Sequence, residues 1–354
     1  MAHVFVTGGN GFMGSRIVRR LLTRGHEVVA LVGADLDCEN LAGLDVERRE
    51  FDLLDEHGVT EALEGGELLV HNAACYSFWE PNPDTIYRVN IDGTQHVMRA
   101  ARVHGYEKIV YTSSTATLTP SINRTVETEE SLFDLRSFQG HYKSSKVLAE
   151  IAVLREIACG LPVSIVHPTT VVGRGDRRPT PTGTLIIHFL NGIMLAYADT
   201  LLNVVDVDDV AEGHVLALEQ GLPGRQYILG GENLSMAEVT SILSELTGIP
   251  APRVKLPPRL LLWAGHAAEW VANHVTHRRP IVDVEAALHS LSNRASDSGR
   301  ARKELGFDPA PARVALAKAA GWFLEVGMCR DRARRRVEAD GRLQAFLAEI
   351  DEPV

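Results

Sequence analysis

Tyr142-Lys143-Ser144-Ser145-Lys146 sets a phenol and an ammonium four residues apart. On a helix that spacing puts both on one face, about one turn from each other. A free tyrosine titrates near pH ~10 and is a weak base at neutrality. A neighbouring ammonium favours the phenolate and moves it toward a working range. Tyr142 is then suited to give or take the proton of a hydroxyl, with Lys146 lowering its pKa. The same spacing on an ordinary helix marks only a surface, so its meaning rests on the elements around it.

A second motif opens the chain. Thr7-Gly8-Gly9-Asn10-Gly11-Phe12-Met13-Gly14 lies between the apolar run Val4-Phe5-Val6 and an amphipathic segment carrying Ile17, Val18, Leu21 and Leu22. Glycines at 8, 11 and 14 allow a tight turn, close approach of backbone to a pyrophosphate, and close helix–strand packing. The following helix aims unpaired N–H groups and its positive dipole end at the phosphates. Gly8, Gly11, Phe12, Met13 and Gly14 form the expected dinucleotide cradle. A nicotinamide cofactor then exchanges hydride at the carbon whose hydroxyl Tyr142 serves, and Lys146 also holds the nicotinamide ribose.

The first half alternates β-rich runs, at His3–Thr7, Glu27–Val32, Val46–Asp52, Leu68–Asn72, Lys108–Ser113 and Val163–His167, with helical patterns. The helices are expected at Met13–Arg24, Gly58–Leu63, Asn90–His104 and His141–Cys159. That alternation predicts an α/β fold, a doubly wound parallel sheet of Rossmann type. After Pro168 the pattern changes. Gly173–Thr184 reads as a long loop, and Leu202–Gln220 as a strand–helix unit returning to the sheet, with Asp208 or Asp209 capping its helix. Helical patterns follow at Met236–Thr247, Leu260–Val275, Val282–Ser290 and Pro311–Val326. The expected division is a dinucleotide-binding domain over 1–168 and 201–231, a smaller, mainly helical substrate domain over 169–200 and 232–326, and a helical tail over 327–354.

The 354 residues are 45% hydrophobic, with a formal net charge of −10 and a mean hydropathy of −0.03. The acidic balance argues against nucleic acid as a partner. The basic cluster Arg330–Arg336, followed by Glu338 and Asp340, reads as a solvated helical face. The four cysteines form no Cys-x-x-Cys pair, so neither a metal site nor a disulfide frame is expected. The N-terminus runs directly into strand, and the apolar stretch Leu260–Val275 carries His266 and Glu269 and is too short to span a bilayer. A cytoplasmic enzyme with a small-molecule substrate and no membrane span is expected.

The Gly-x-x-Gly-x-x-Gly spacing, with the motifs that follow in order, resembles the extended branch of the short-chain dehydrogenase/reductase family. The resemblance covers about residues 1–325. It implies an adenine contact at Asp52-Leu53, a small-residue ledge beneath the cofactor at Asn72-Ala73-Ala74, and a supporting helix start at Asn90. Thr112, His167 and Pro168 would also flank the cofactor. Ser114 would complete the catalytic set by orienting the substrate oxygen, although Ser113 and Thr115 are adjacent and such clusters also cap backbone. By analogy, two chains would pair through Asn90–His104 and His141–Cys159 into a homodimer. An acid at the end of the second strand would select NAD and an Arg would select NADP. Val32 and Gly33 supply neither, and the nearby Asp35 and Asp37 tilt the expectation to NAD over NADP.

Two subgroups are most similar: dihydroflavonol-reductase-like enzymes and hopanoid-associated sugar epimerases. The leading expectation is a reductase or dehydrogenase working on a secondary alcohol or ketone of a largely apolar molecule. Tyr76, Phe78 and Trp79 stand where substrate should approach, with Thr115 beside Ser114; Trp263 and Trp270 would extend an apolar wall or be ordinary core. Nucleotide-sugar epimerases usually carry Asn where His167 stands. The second expectation is an NAD-dependent sugar epimerase or dehydratase, with Arg174, Arg177 and Arg178 gripping a diphosphate or forming an exposed loop. The third is a dinucleotide-sensing regulator, disfavoured because Tyr142 and Lys146 are both intact.

Overall fold

The computed structural model describes residues 1–34, 36–77, 82–119, 126–131, 140–198, 200–276 and 295–350, without the side chains of Pro258, Arg259, Leu261, Asn273 and Thr276. Contacts divide the chain into two compact units. The first is Met1–Thr169, Asp208–Leu229 and Ser296–Asp308; the second is Thr170–Val207, Gly230–Ala295 and Pro309–Val354.

Apolar runs, buried on both faces except at the largely exposed edge strand Glu47–Phe51, form a parallel sheet in the first unit. Its strands are β1 (His3–Thr7), β2 (Glu27–Gly33), β3 (Glu47–Phe51), β4 (Leu68–His71), β5 (Lys108–Thr112), β7 (Val163–Pro168) and β11 (Gln226–Leu229). The two-residue strand β6 (Val126–Glu127) lies outside this sheet. The seven strands run in the order β11-β7-β5-β4-β1-β2-β3, and every neighbouring pair is parallel. Helices α1 (Phe12–Thr23), α2 (Glu56–Ala62), α3 (Pro83–Tyr87), α4 (Gly93–His104) and α5 (His141–Ala158) connect them. Val97, Met98 and Ala101 of α4 and Ala149 and Val153 of α5 pack with Leu69, Ile109, Tyr111 and Ile165 of the sheet. The chain reverses its direction of winding between β1 and β4, where open α/β sheets leave a crevice beyond the strand ends.

The doubly wound expectation holds, and the seventh strand is new. Gln226–Leu229 is only four residues long, too short to declare itself in the sequence. Leu201–Asp206 (β10) does form a strand, but does not rejoin the large sheet. It pairs with β8 (Thr170–Val172) and β12 (Glu232–Ser235) in a separate three-stranded sheet. The loop expected over Gly173–Thr184 ends early, because Thr180 caps α6 (Pro181–Leu190) by accepting from the Gly183 N–H, and Pro181 occupies its first turn. Asp208 and Asp209 lie inside the first turn of α7 (Val207–Gln220), and Asp208 is ion-paired with Arg16 of α1. The Val282–Ser290 helix lies outside the described residues.

The units depart from the expected division at three places. β10 goes with the second unit because its ladder partners are there. Ser296–Asp308 goes with the first, where Arg225 pairs with Glu304 at 2.6 Å and Arg300 donates to the Gln226 carbonyl at 3.3 Å. Residues beyond 326 form helices Asp331–Asp340 and Arg342–Ile350. Their Ala333, Val337 and Leu343 enter the second unit's core with Leu243, Leu316 and Phe323, so they are part of that core and not an appendage. Arg332, Arg334, Arg335 and Arg336 stand on the exposed face of the first of these helices, as the charge pattern predicts. In the second unit β9 (Ala196–Ala198) also pairs in parallel with β13 (Val254–Leu256).

Candidate active site

The glycine turn closes at the end of β1. Gly8 takes φ +67°, and the Gly11 N–H donates to the Gly8 carbonyl at 2.9 Å. A Cβ on Gly14 would lie 2.0 Å from that carbonyl oxygen, and one on Gly8 would lie 3.0 Å from Ala73. These are positions where only glycine fits. Gly11 differs: it is exposed, its φ is −70°, and only the Gly8 oxygen lies nearby. Helix α1 has no side-chain cap and no acidic residue in its first turn, and it opens on half-buried Phe12 and Met13. A cradle that Cβ atoms would fill, at an uncapped helix start, fits a dinucleotide pyrophosphate.

A directional polar chain runs from this turn into the unit. The Thr7 hydroxyl accepts from the Asn72 and Ala73 N–H groups at 3.1 Å each. Its own proton goes to His71 Nδ1 at 2.7 Å, and His71 Nε2 stands 3.1 Å from the Thr94 hydroxyl. Burial pushes His71 down to about 3, so it is the neutral imidazole this relay requires. Thr94 bonds the Tyr111 phenol, which accepts from Lys146 Nζ at 3.3 Å. The ledge Asn72-Ala73, half-buried with Ala74 exposed, is thereby tied to Lys146. Asn72 Oδ1 is buried and has no hydrogen-bond partner among the described residues, a polar atom left available beneath the glycine turn.

Tyr142 and Lys146 both lie on α5, as the spacing predicts. Lys146 is buried and donates to the Thr112 carbonyl at 2.8 Å; its ammonium also sits 4.9 Å from the centre of the Tyr111 ring. Burial lowers it to about 8, against an upward pull from Glu150. Tyr142 is 8% exposed, and its ring lies 4.8 Å from that of Tyr76. Asn90 sits in a π-helical turn, Arg88–Asp92, joining α3 to α4, the kind of irregularity that often marks functional positions. Its amide accepts from the Cys75 N–H at 2.7 Å, donates to the Cys75 carbonyl at 3.1 Å, and donates to Ser145 Oγ at 2.8 Å. Ser145 in turn donates to the Tyr142 carbonyl at 2.8 Å. One side chain thus couples the Tyr76 loop to the start of α5. The sequence expectation began a helix at Asn90; the structure carries it back to Pro83.

Ser114 follows β5 half-buried, its hydroxyl accepting from the Ala116 N–H at 3.1 Å. The hydroxyl caps that turn as an acceptor and keeps its own proton. Ser113 is diverted inward to Glu150, and Thr115 reaches only the Pro168 carbonyl, at 3.5 Å. The Thr112 side chain turns to His214 at 2.9 Å, so its contribution to the site is the carbonyl that holds Lys146. Asp52 is exposed and its carboxylate accepts from the Leu54 N–H at 2.9 Å, while Leu53 packs against Gly93. Arg178 is exposed in the second unit. Trp263 and Trp270 are 76% and 60% exposed, which removes the core alternative for both. Phe78, Trp79 and Asp35 lie outside the described residues.

Sequence reasoning missed a buried cluster behind Ser114. Glu150 is fully buried; its Oε2 accepts from Ser113 and lies 3.8 Å from His167 Nδ1. Its Oε1 has no hydrogen-bond partner. His167 is itself buried, with Nδ1 3.2 Å from the Ser114 carbonyl and Nε2 3.1 Å from Gln226 Oε1; Pro168 is buried next to it. The available signal was spacing: Glu150 falls four residues after Lys146 and eight after Tyr142, a carboxylate on the same helical face.

Sheet order, glycine turn and buried tyrosine–lysine helix together define a Rossmann-type dinucleotide-binding fold. Residues 4–230 match the model of the NAD dependent epimerase/dehydratase family, and the chain belongs to that family. It is 37% identical over 330 residues, 91% of this chain and 95% of the other, to a Synechocystis sp. protein provisionally named as a dihydroflavonol 4-reductase. It is 35% identical over 326 residues, 91% and 98% of the two chains, to sterol demethylase protein B of Methylococcus capsulatus. Among solved structures, that of gox2253 is similar with a TM-score of 0.83 and 40% identity, covering 93% of this chain and 100% of that one. Family and reductase-named relatives make this an NAD-dependent oxidoreductase-type enzyme.

Proposed function

We propose that the chain is an extended short-chain dehydrogenase/reductase that interconverts a secondary alcohol and a ketone on a largely apolar small molecule. The observation that carries this reading is the Tyr76 ring set 4.8 Å from the Tyr142 ring. An aromatic wall, 44% exposed, flanks the phenol that handles the proton and suits an apolar partner. His167 adds support: buried, with both ring nitrogens engaged, it offers no free polar group to a sugar-nucleotide substrate. The names of the relatives point the same way, one to a sterol and one to a flavonol.

Tyr142 acts as general acid in reduction and general base in oxidation. Ser114 donates its hydroxyl proton to the substrate oxygen and orients it. Lys146, leaving the Thr112 carbonyl, holds the nicotinamide ribose and favours the Tyr142 phenolate. Gly8, Gly11, Phe12, Met13 and Gly14 hold the pyrophosphate, Asn72, Ala73 and Ala74 underlie the cofactor, Asp52 and Leu53 meet the adenine, and Asn90, Thr112, His167 and Pro168 support it. When bound, the dinucleotide supplies two-electron redox chemistry at carbon. NAD is preferred to NADP: the Asp37 carbonyl accepts from Asn10 of the glycine turn at 3.0 Å, and an acidic residue beside that turn would disfavour a ribose phosphate. The enzyme works in the cytoplasm as a homodimer paired through α4 and α5, whose Val103 and Leu148 are exposed.

The second reading is a sugar epimerase, favoured by the family and by the exposed Arg178. Purified protein separates the two. Consumption of NADH or NADPH with hydrophobic ketones supports the reductase. Inversion of a UDP-sugar without net cofactor turnover, and no activity on ketones, overturns it.

A further inference from the structure

Glu150 follows Lys146 by four residues on α5, so the two side chains leave one face of the helix a single turn apart. That face is the buried one, shared with Ser145, Ala149 and Val153. Lys146 is 3% exposed and Glu150 0%. Both reach the end of β5, at consecutive residues. The ammonium donates to the Thr112 carbonyl at 2.8 Å, and the Ser113 hydroxyl donates to Glu150 Oε2. Taking a carboxylate out of water is unfavourable unless a cation and hydrogen bonds offset it. Ser113 provides one such bond, and Glu150 Oε1 has no hydrogen-bond partner among the described residues. Hydrogen bonding by itself leaves this burial largely uncompensated.

The surroundings point to Lys146 as the charge that Glu150 answers. Facing the carboxylate are Ser113 and Tyr111 on β5, His167 on β7 and Lys146 on its own helix. Burial, and after it Glu150, hold the Tyr111 phenol well above its ordinary range. His167 Nδ1 stands 3.8 Å from Glu150 Oε2, and its ring nitrogens turn instead to the Ser114 carbonyl at 3.2 Å and Gln226 Oε1 at 3.1 Å. Facing the ammonium in turn are Tyr142 and Glu150 on α5, Tyr111 at 3.3 Å, and His71 on β4, which burial and then Lys146 push down to about 3. Glu150 is the one carboxylate in that set. Burial lowers Lys146 to about 8 even with Glu150 pulling upward, so without that pull the ammonium would give up its proton more readily.

We propose that Glu150 is a positioning residue for the reaction: its carboxylate is the buried counter-charge that keeps Lys146 an ammonium on the helix of Tyr142. Its link to the reaction rests on the reading that Lys146 serves Tyr142. Two variants separate charge from contact. Glu150→Gln keeps the length and an acceptor for Ser113 but loses the charge. Glu150→Asp keeps the charge on the same helical face but falls one methylene short of Ser113. In the cofactor-free full chain, Lys146 ¹³Cε shifts should place the Glu150→Gln midpoint about 1–2 pH units below the parent's, as for two charges one helical turn apart at an effective dielectric near ~20. The Glu150→Asp midpoint should stay within about 0.5 of the parent's. A purely structural role gives the reverse, Gln at the parent's value and Asp displaced, and that result overturns the proposal. In the parent itself the Glu150 ¹³Cδ shift at pH 7 should be that of a carboxylate. A carboxylic acid there overturns the proposal whether or not either variant folds. Both readouts are taken without cofactor or substrate, so they can fail while the oxidoreductase reading stands, and stand while ketone turnover fails.

Discussion

Asn90 Nδ2 donates to Ser145 Oγ over 2.8 Å, from a π-turn on one helix to the helix that carries Tyr142. Because the same amide also satisfies the Cys75 N–H and carbonyl, it serves as a positioning residue between the Tyr76 loop and the phenol. Asn90→Ala strands three polar groups in a buried setting, which costs about 1–3 kcal/mol. Urea denaturation should show that loss, and kcat should fall more than KM rises. Asn90→Asp, which keeps the acceptor for Cys75, should recover part of the stability.

Tyr142→Phe removes only the hydroxyl and leaves the ring beside Tyr76. Turnover should fall by about 10² to 10⁴, the usual worth of a positioned acid–base group, with dinucleotide affinity nearly unchanged by calorimetry. Full activity in this variant would refute the proposed chemistry.

Lys146 should titrate near 8 in the cofactor-free protein, displaced downward by burial. Below that pH it is an ammonium able to favour the Tyr142 phenolate; above it the charge is lost. Its folded pKa lies below the unfolded 10.5, so the native state holds fewer protons from about pH 8 to 10.5. The contribution of this group to stability therefore rises with pH across that window. Lysine ¹³Cε chemical shifts give the midpoint directly. Since Glu150 raises it, Glu150→Gln should move the midpoint lower still.

The glycines of the turn should separate into two kinds. Gly14→Ala drives a methyl into the Gly8 carbonyl and should cost about 1–3 kcal/mol or more in stability. Gly11→Ala has an accessible φ, and its methyl would meet only the Gly8 oxygen, at 3.1 Å, so the stability cost should be smaller, about 0.5–1 kcal/mol. Its methyl occupies the phosphate path instead, and dinucleotide affinity should drop sharply. Thermal melts with and without cofactor distinguish them.

Asp176 is buried beneath the start of α6, accepting from the Thr180 N–H and hydroxyl, and burial raises it to about 6. Its folded pKa exceeds the unfolded value of 3.8, so the folded state binds the extra proton between pH 3.8 and 6. The stabilisation is complete below pH 3.8 and lost as pH rises through 6, by about 3 kcal/mol in all. In Asp176→Asn that slope should vanish from the difference between variant and parent denaturation curves. An unchanged slope would place the titration elsewhere.

The main elements of the first unit were legible because their periods are local. Alternating strand and helix patterns, a glycine turn between them, and Tyr142 four residues before Lys146 depend only on residues close in the chain. The second unit was less so. Leu201–Asp206 reads as a strand whichever sheet it joins, and only its pairing with β8 and β12 decides that it leaves the large one. Gln226–Leu229 is a strand through its neighbour β7, with little pattern of its own.

Residue types and spacing by themselves determined the family fold, the glycine turn and the shared helix of Tyr142 and Lys146, since each rests on backbone freedom or on helical geometry over a few residues. Tertiary structure alone decided that Ser113 turns inward while Ser114 caps a turn, that the Thr112 carbonyl holds Lys146, that Asn90 bridges two helices, and that Glu150 and His167 are buried behind them. Those facts depend on which groups meet across tens of residues and on where water is excluded, and neither is written in local sequence.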